Sequence, residues 1–534
     1  MRFAMRTAVA VAACVFATAS AFAEAPPRAE IQQMKALPHR MSAPVSTFAP
    51  GLPAPGALAI AVHKPDVPGG GRGGGGGGSA FTDPALQTTA GGSFGATLLA
   101  SVEGIGANGS LPPDANLAVG NTQIVEIVNT QFAVYDKTTR TMTLGPVAIH
   151  TLFTGLGGMC ETNDGGDPIV LFDQMAGRWF ISQLEYNSTF TTNLLCTAVS
   201  TTSDATGTYT LYEWNFGSYL PDYPKVGVWP DAYYLSANLF YRAQIFTGSD
   251  ACALDRNAMI NGQQATGVCF NPSQASLLPA NLDGATLPDA GEPGFFVSLG
   301  SNAVTIFKMH VDFVNINNST LSSVSRATAA FRQACGGGAC VPQPSTTQQL
   351  DTLADRLMYR LSYRRFLING SNPPAYTESL LVNHSVQVRS TSNQSGVRWY
   401  EIQNPNTTAV IVQQSTFSPD TAKYRWMGSM AQDKQGNMLI GYSTSGAASP
   451  AFPGIAYTGR VAGVDPLNQM STEFSSFTGT GSQTTYSRWG DYTSMAIDPV
   501  DDCTFWFVGE YLVTTGAVNW HTRLESLKFP SCVP

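Results

Sequence analysis

Charge is what this sequence has least of. Asp, Glu, Lys and Arg make up 12% of its 534 residues, about half the usual share. Lys and Arg number 29 against 37 Asp and Glu, a formal net charge of -8. That balance argues against nucleic acid as a partner, because phosphate binding needs a basic face. No basic run offers a foothold on an anionic membrane, and past the N-terminus no apolar run is long enough to span one. Cys-x-x-Cys is absent and the His residues do not cluster near the cysteines, which speaks against zinc. Gly-x-Ser-x-Gly does not occur in a strand–turn–helix frame, so the α/β serine hydrolases are unsupported. Amphipathic helical periodicity is missing from the core.

What is present begins with a secretory signal over residues 1–23. Arg2 and Arg6 form its basic end, Thr7 to Ser20 its apolar stretch, and Ala21-Phe22-Ala23 a small-x-small cleavage site. The chain is therefore expected to be secreted or periplasmic. Of nine cysteines, Cys14 lies in this signal, and an even set of eight in an exported chain reads as disulfides. Neighbours in sequence are the simplest pairs: Cys160–Cys196, Cys252–Cys269, Cys335–Cys340 and Cys503–Cys532. Residues 24–92 are rich in Pro, Ala and Gly, with Gly69 to Gly78 interrupted only by Arg72. They read as a disordered leader. No Lys-Ser/Thr follows the glycines, which rules out a phosphate loop.

Residues 93–534 read as all-β. The stretch Ser494-Met-Ala-Ile-Asp498 is a short apolar strand broken by an Asp-centred turn, and the aromatic run Thr504 to Val508 follows it. Ser429-Met-Ala-Gln-Asp433 repeats the design 494 − 429 = 65 residues earlier, and Arg-Trp precedes both, at Arg425-Trp426 and Arg488-Trp489. Turns at Gly120, Asp173, Asp231, Gly300, about Arg365, Asp433 and Asp498 mark seven units. Each is long enough for about four strands, which points to a single β-propeller of seven four-stranded antiparallel blades, with six or eight as the alternatives because the unit around Arg365 is poorly marked. A β-sandwich array predicts a period nearer ~100 residues. Two inserts, about Gly248 to Pro288 and Asn317 to Leu350, are expected to cover one face, and Thr347 to Asp355 to form one helical turn.

In a propeller the loops entering the first strand of each blade share one mouth. The residues there are polar: Asp114, Asn116, Asp164, Asp167, Asp222, Tyr223, Lys225, Arg356, Arg360, Arg425, Arg488, Asp491 and Tyr492. Asp167 and Asp491 suit paired carboxylate catalysis, with Tyr492 or Tyr223 as a sialidase-like nucleophile. The arginines match a carboxylate-bearing sugar bidentately. The structural reading of the same residues is salt bridges and loop caps that hold blades together. His384 reads as a hydrogen-bonded core residue. Asn163-Asp-Gly-Gly-Asp167 and Asp498-Pro-Val-Asp-Asp502 are oxygen-rich enough for calcium, although neither is an EF-hand loop; no other cofactor is expected.

Seven stretches carry a resemblance: Pro112-Pro-Asp-Ala-Asn-Leu-Ala-Val-Gly120, Gly166-Asp-Pro-Ile-Val-Leu-Phe-Asp173, Tyr223-Pro-Lys-Val-Gly-Val-Trp229, Asp355-Arg-Leu-Met-Tyr-Arg360, Val382-Asn-His-Ser385, Gly396-Val-Arg-Trp-Tyr-Glu401 and Arg488-Trp-Gly-Asp-Tyr492. Together they resemble a mostly uncharacterised family of exported bacterial β-propeller proteins, distantly sialidase-like in architecture. The Ser-x-Asp-x-Gly-x-Thr-Trp turn of sialidase blades is missing, and Asp433-Lys-Gln-Gly436 is a partial echo. The resemblance implies fold and export, not an activity. The expectation is a monomer that recognises an extracellular glycan or protein through the mouth. The alternative is a glycoside hydrolase or lyase acting there on an acidic polysaccharide.

Overall fold

The computed structural model describes residues 31–36, 39–53, 81–368 and 370–533. The signal and the glycine run lie outside them. Strands dominate, and the longest α-helices among the described residues have five residues, Gly158–Thr162 and Arg256–Ile260.

The strands pair antiparallel in order of sequence. The first sheet runs Asn116–Val119, Gln123–Val128, Gln131–Asp136, Met142–Ala148. The second starts at Ile169–Asp173, the third at Tyr219–Val228 and the sixth at Lys423–Gln432; between the third and sixth lies one eight-stranded sheet, whose half starting at Leu278–Leu282 is termed the fourth and whose half starting at Met358–Ile368 is termed the fifth. The seventh contains Ser494–Ile497, Thr504–Leu512 and Trp520–Lys528, and its outermost strand is Thr97–Gly106 from the other end of the chain. Each first strand lies against the first strand of the next sheet, and that of the seventh lies against that of the first. Between the fourth and fifth the contact is a parallel pairing, Ala280 with Leu361 to Leu282 with Tyr363. The arrangement is propeller-like.

The repeated sequence now has a physical cause. The Ser429 hydroxyl accepts the Met495 N–H at 3.0 Å, and the Ser494 hydroxyl accepts the Leu117 N–H at 2.8 Å. Asn116 accepts from Val170 N–H at 2.9 Å and Asn281 from Val228 N–H at 3.0 Å. Side chains of one first strand thus satisfy backbone donors of the next, where sheets too splayed for a ladder leave amides open. Asp433 and Asp498 each accept from the backbone two residues on, closing the turns. Trp426 and Trp489 meet edge to face at 5.8 Å.

Several expectations need correction. The leader is not unstructured where it is described. Ile31–Lys35 pairs with Thr266–Phe270 and His39–Met41 with 210–212, because the outer strands of the third and second sheets offer open edges. Asp83 is buried against Arg398 and Thr416. The stretch from Gly248 is no insert: Ile245–Asp255 and Thr266–Phe270 are the third sheet's outer strands, and Cys252–Cys269 joins them directly. The 317–350 stretch begins as the fourth sheet's outer strand, Thr320–Ala327. Only its later part crosses to residues 483–487, through Gln343 and Gln348. Residues 347–355 form a short strand and turns, not a helix, with Leu350–Asp351 paired to 339–341. Gly300 is the last residue of the fourth sheet's second strand rather than a turn after its first, and Arg365 lies within the fifth sheet's first strand. All four expected disulfides are present, which fits an oxidising compartment. No described helix is long and apolar enough to cross a membrane.

Candidate functional site

The site is built from one backbone device used four times. Asp114, Asp167, Tyr223 and Met427 have φ of 49°, 50°, 56° and 51°. Each stands two residues before a position on a first strand: Asn116, Ile169, Lys225 and Ser429. At Tyr223 and Met427 the sheet register shifts, as at a bulge. A left-handed turn by a residue other than glycine is costly, and here it aims side chains at one end of the first strands, which we term the entry mouth.

Hydrogen bonds pass from sheet to sheet around this mouth. The Tyr223 N–H donates to the Asp167 carboxylate at 3.0 Å. The Asp167 N–H donates to Asn129 Oδ1 at 2.9 Å, and Asn129 Nδ2 donates to Asp114 Oδ2 at 2.9 Å. The Asp491 N–H donates to Asp114 Oδ1 at 2.6 Å, and Arg488 pairs with Asp491. Lys225 is fully buried, its ammonium 3.6 Å from the Tyr223 ring centroid and 3.8 Å from that of Tyr492, donating to Pro224 O at 2.9 Å. Arg356 stacks on Tyr223 from 4.6 Å and pairs with Asp355 at 3.0 Å.

Burial governs the electrostatics. Burial, then the charge of Asp167, pushes Asp114 up to about 8. Burial brings Lys225 down to about 7, against the pull of Asp167 and Asp114. Burial and the field of Asp114 hold Glu510 well above the usual carboxylate range. One Glu510 oxygen is buried without a hydrogen-bond partner.

Of the residues singled out from the sequence, Asp114, Asp167, Tyr223, Lys225, Arg356, Arg488, Asp491 and Tyr492 come together. Asn116 lies one step inward, bracing the second sheet. Asp164 faces the second sheet's connector and accepts from His150 Nδ1 at 2.7 Å. Asp222 precedes the Tyr223 bulge and is half-buried. Two arginines do not join the mouth. Arg425 is held by Glu473 at 2.6 Å and by Asp420 within its own sheet. Arg360 pairs with Asp283 at 2.7 and 2.8 Å beside a cavity of about 40 Å³ at the opposite end of the first strands, near Val119 and Pro499. Tyr492 and Tyr223 are not placed as nucleophiles: their hydroxyls donate to Pro168 O and Leu357 O, and burial raises both pKa values. His384 is a buried core residue, bonded to the Tyr400 hydroxyl at 2.9 Å.

The 498–502 turn does not fit calcium, since its acids already carry cations. Asp498 binds Lys137 at 2.8 Å, Asp501 binds Lys528 at 2.9 Å and Asp502 binds Arg364 at 2.6 Å. Among the described residues one trio of His, Cys, Asp or Glu stands within metal-ligand range, Asp250, Cys252 and Cys269, and its cysteines are joined.

Asn129 and Glu510 went unnoticed in the sequence. Glu510 had a signal, being the single acid in the aromatic run from Thr504 to Leu512. Asn129 had none beyond ending the strand Gln123–Val128.

No protein-family model matches the chain, nor does any curated protein sequence. Among solved structures, the chain is similar to the WD40 domain of SCAP from fission yeast at 7% identity, over 80% of this chain and 98% of that one, with a TM-score of 0.34. It is similar to an α-L-arabinanase of Penicillium chrysogenum at 7% identity, over 85% and 100%, with a TM-score of 0.32. For Drosophila semaphorin 1a, extracellular domains 1–2, the figures are 9%, 82%, 88% and 0.34. At such values the likeness carries no weight here; strand pairing and side chains do. None of these comparisons identifies the exported bacterial family that the motifs resemble.

Proposed function

We propose that this chain is an exported monomer whose seven sheets are the blades of a single closed propeller. We further propose that it recognises an extracellular glycan through the entry mouth rather than hydrolysing it. Closure is supported by the unbroken circuit of neighbouring first strands and by Thr97–Gly106 completing the last sheet. Recognition is favoured over hydrolysis by one observation above all. The mouth's carboxylates are engaged in bonds between sheets, Asp114 by Asn129 and Asp491, and Asp167 by Tyr223. Carboxylates so committed act as fasteners, whereas a glycosidase needs two free to face a glycosidic bond.

Hydrolysis keeps one supporting observation. Burial holds the Glu510 pKa well above the usual carboxylate range, the direction a general acid needs, and one of its oxygens is unpartnered. Screening the protein on a polysaccharide panel separates the two readings. Binding without release of reducing ends, in the native protein and in Asp491→Asn alike, is the expected result. Turnover abolished by Glu510→Gln or Asp491→Asn establishes the hydrolase instead.

A further inference from the structure

Beside the mouth, on the same face, the second and third sheets carry two aromatic pairs, three of whose rings also rest on the hydrophobic core. Tyr186 and Phe190 stack with ring centroids 4.9 Å apart, and Tyr219 meets Tyr241 at 5.5 Å. All four are half-buried. The pairs adjoin, because Asn193 donates to Phe190 O at 3.0 Å and to Gly217 O at 2.8 Å, while Arg242 N–H donates to Ser218 O at 2.7 Å. The Arg242 guanidinium lies 5.5 Å from the Tyr241 ring centroid and extends the flat surface. Glu185, the neighbour of Tyr186 on its strand, accepts the Gly165 N–H at 3.0 Å, two residues before Asp167 of the mouth.

Phe190, Arg242 and the adjacent Ala243 have φ of 51°, 49° and 56°. Glycine would make these turns at no steric cost. A residue other than glycine held in this region is strained, and such strain clusters at ligand sites. Here it fixes the Phe190 ring at the rim of the face.

We propose that this shelf is a stacking subsite for an uncharged glycan chain that continues into the mouth. The inference rests on the glycan-recognition reading above. Sugar rings present flat C–H faces that lie against aromatic rings, and half-exposed aromatics supply contact area with few rotors to order. The uncharged class follows from the mouth's cations. Arg488 is paired with Asp491, Arg356 with Asp355, and Lys225 is enclosed by two rings. Arg356 and Lys225 are buried, and Arg488 already carries a carboxylate.

Affinity electrophoresis tests this with the full chain, in gels containing xylan, galactan, arabinan or polygalacturonate. The proteins compared are the native chain and Phe190→Leu/Tyr241→Leu, which keeps apolar bulk and loses the rings. Phe190→Tyr/Tyr241→Phe, which keeps the rings, is the control for folding. The native protein and the ring-keeping variant should be retarded by at least one neutral polysaccharide, and the leucine variant bound at least tenfold more weakly. Equal retardation of all three overturns the shelf while leaving recognition at the mouth standing. Retardation by polygalacturonate alone overturns the uncharged class. No retardation of the native protein in any gel removes the glycan reading and this inference with it.

Discussion

Lys225 and Asp114 illustrate how burial sets the properties of single residues here. The lysine has two ring faces and the charges of Asp114 and Asp167 in place of water. Lys225→Met leaves the buried Pro224 carbonyl without its donor and is expected to lose about 1–3 kcal/mol in denaturant melts. Adding Asp114→Asn should restore part of it, because the two groups share one network. His384 gives a pH prediction. Burial, then the positive charge of Arg398, holds its pKa well below the ordinary value of 6.5. Below about pH 6.5 the unfolded chain takes up a proton that the folded one refuses, so stability present above that pH is lost as pH falls. The slope reaches about 1.4 kcal/mol per unit. His384→Gln should flatten this acid limb; melts at pH 5.0 and 7.5 that differ by the native amount would contradict the assignment. At this scale the sequence was partly legible. Eight of the polar residues preceding first strands do converge, because the bulge geometry recurs. Arg360 and Arg425 strayed because a strand's period of two sends neighbours to different places, and no residue pattern announces which acid an arginine will meet.

Elements were legible where local chemistry repeats. Ser-Met-Ala-x-Asp marked two first strands correctly because Ser and Asp serve the same hydrogen bonds each time. The fourth and fifth sheets lack that signature, and their turns were set one strand late or inside a strand. Cysteine pairing by sequence neighbourhood succeeded because each bridge closes a short segment, with separations of 36, 17, 5 and 29 residues. Those separations rank the bridges. Loop-closure entropy gives about 3.8 kcal/mol for Cys160–Cys196 and about 2 kcal/mol for Cys335–Cys340. Replacing each pair by alanine should lower the melting temperature more for the first than for the second. The strap at residues 81–92 was read as linker because Pro and Gly mask its role. Asp83 nevertheless forms a fully buried pair with Arg398, and Asp83→Ala should cost about 3–5 kcal/mol by leaving that arginine unpaired.

For the whole molecule, the decisive contact joins residues more than 400 apart: Thr97 faces Lys528 and Gly106 faces His521 across one antiparallel pair. A pairing at that separation leaves no trace in local periodicity, which is why the sequence does not announce Thr97–Gly106 as the outermost strand of the last sheet. If the blades form one ring, a chain beginning after Gly106 should lose its single cooperative transition in calorimetry, since the last blade would lack its outer strand. In the proposed function, distant side chains meet at one mouth to hold a glycan without cutting it. Crystallographic density for the protein soaked with a neutral oligosaccharide tests that claim most directly. It should show Lys225 between Tyr223 and Tyr492, with an intact sugar chain running from the aromatic shelf to the mouth. Cleaved sugar at Glu510, or sugar bound only at the outer rim, would contradict it.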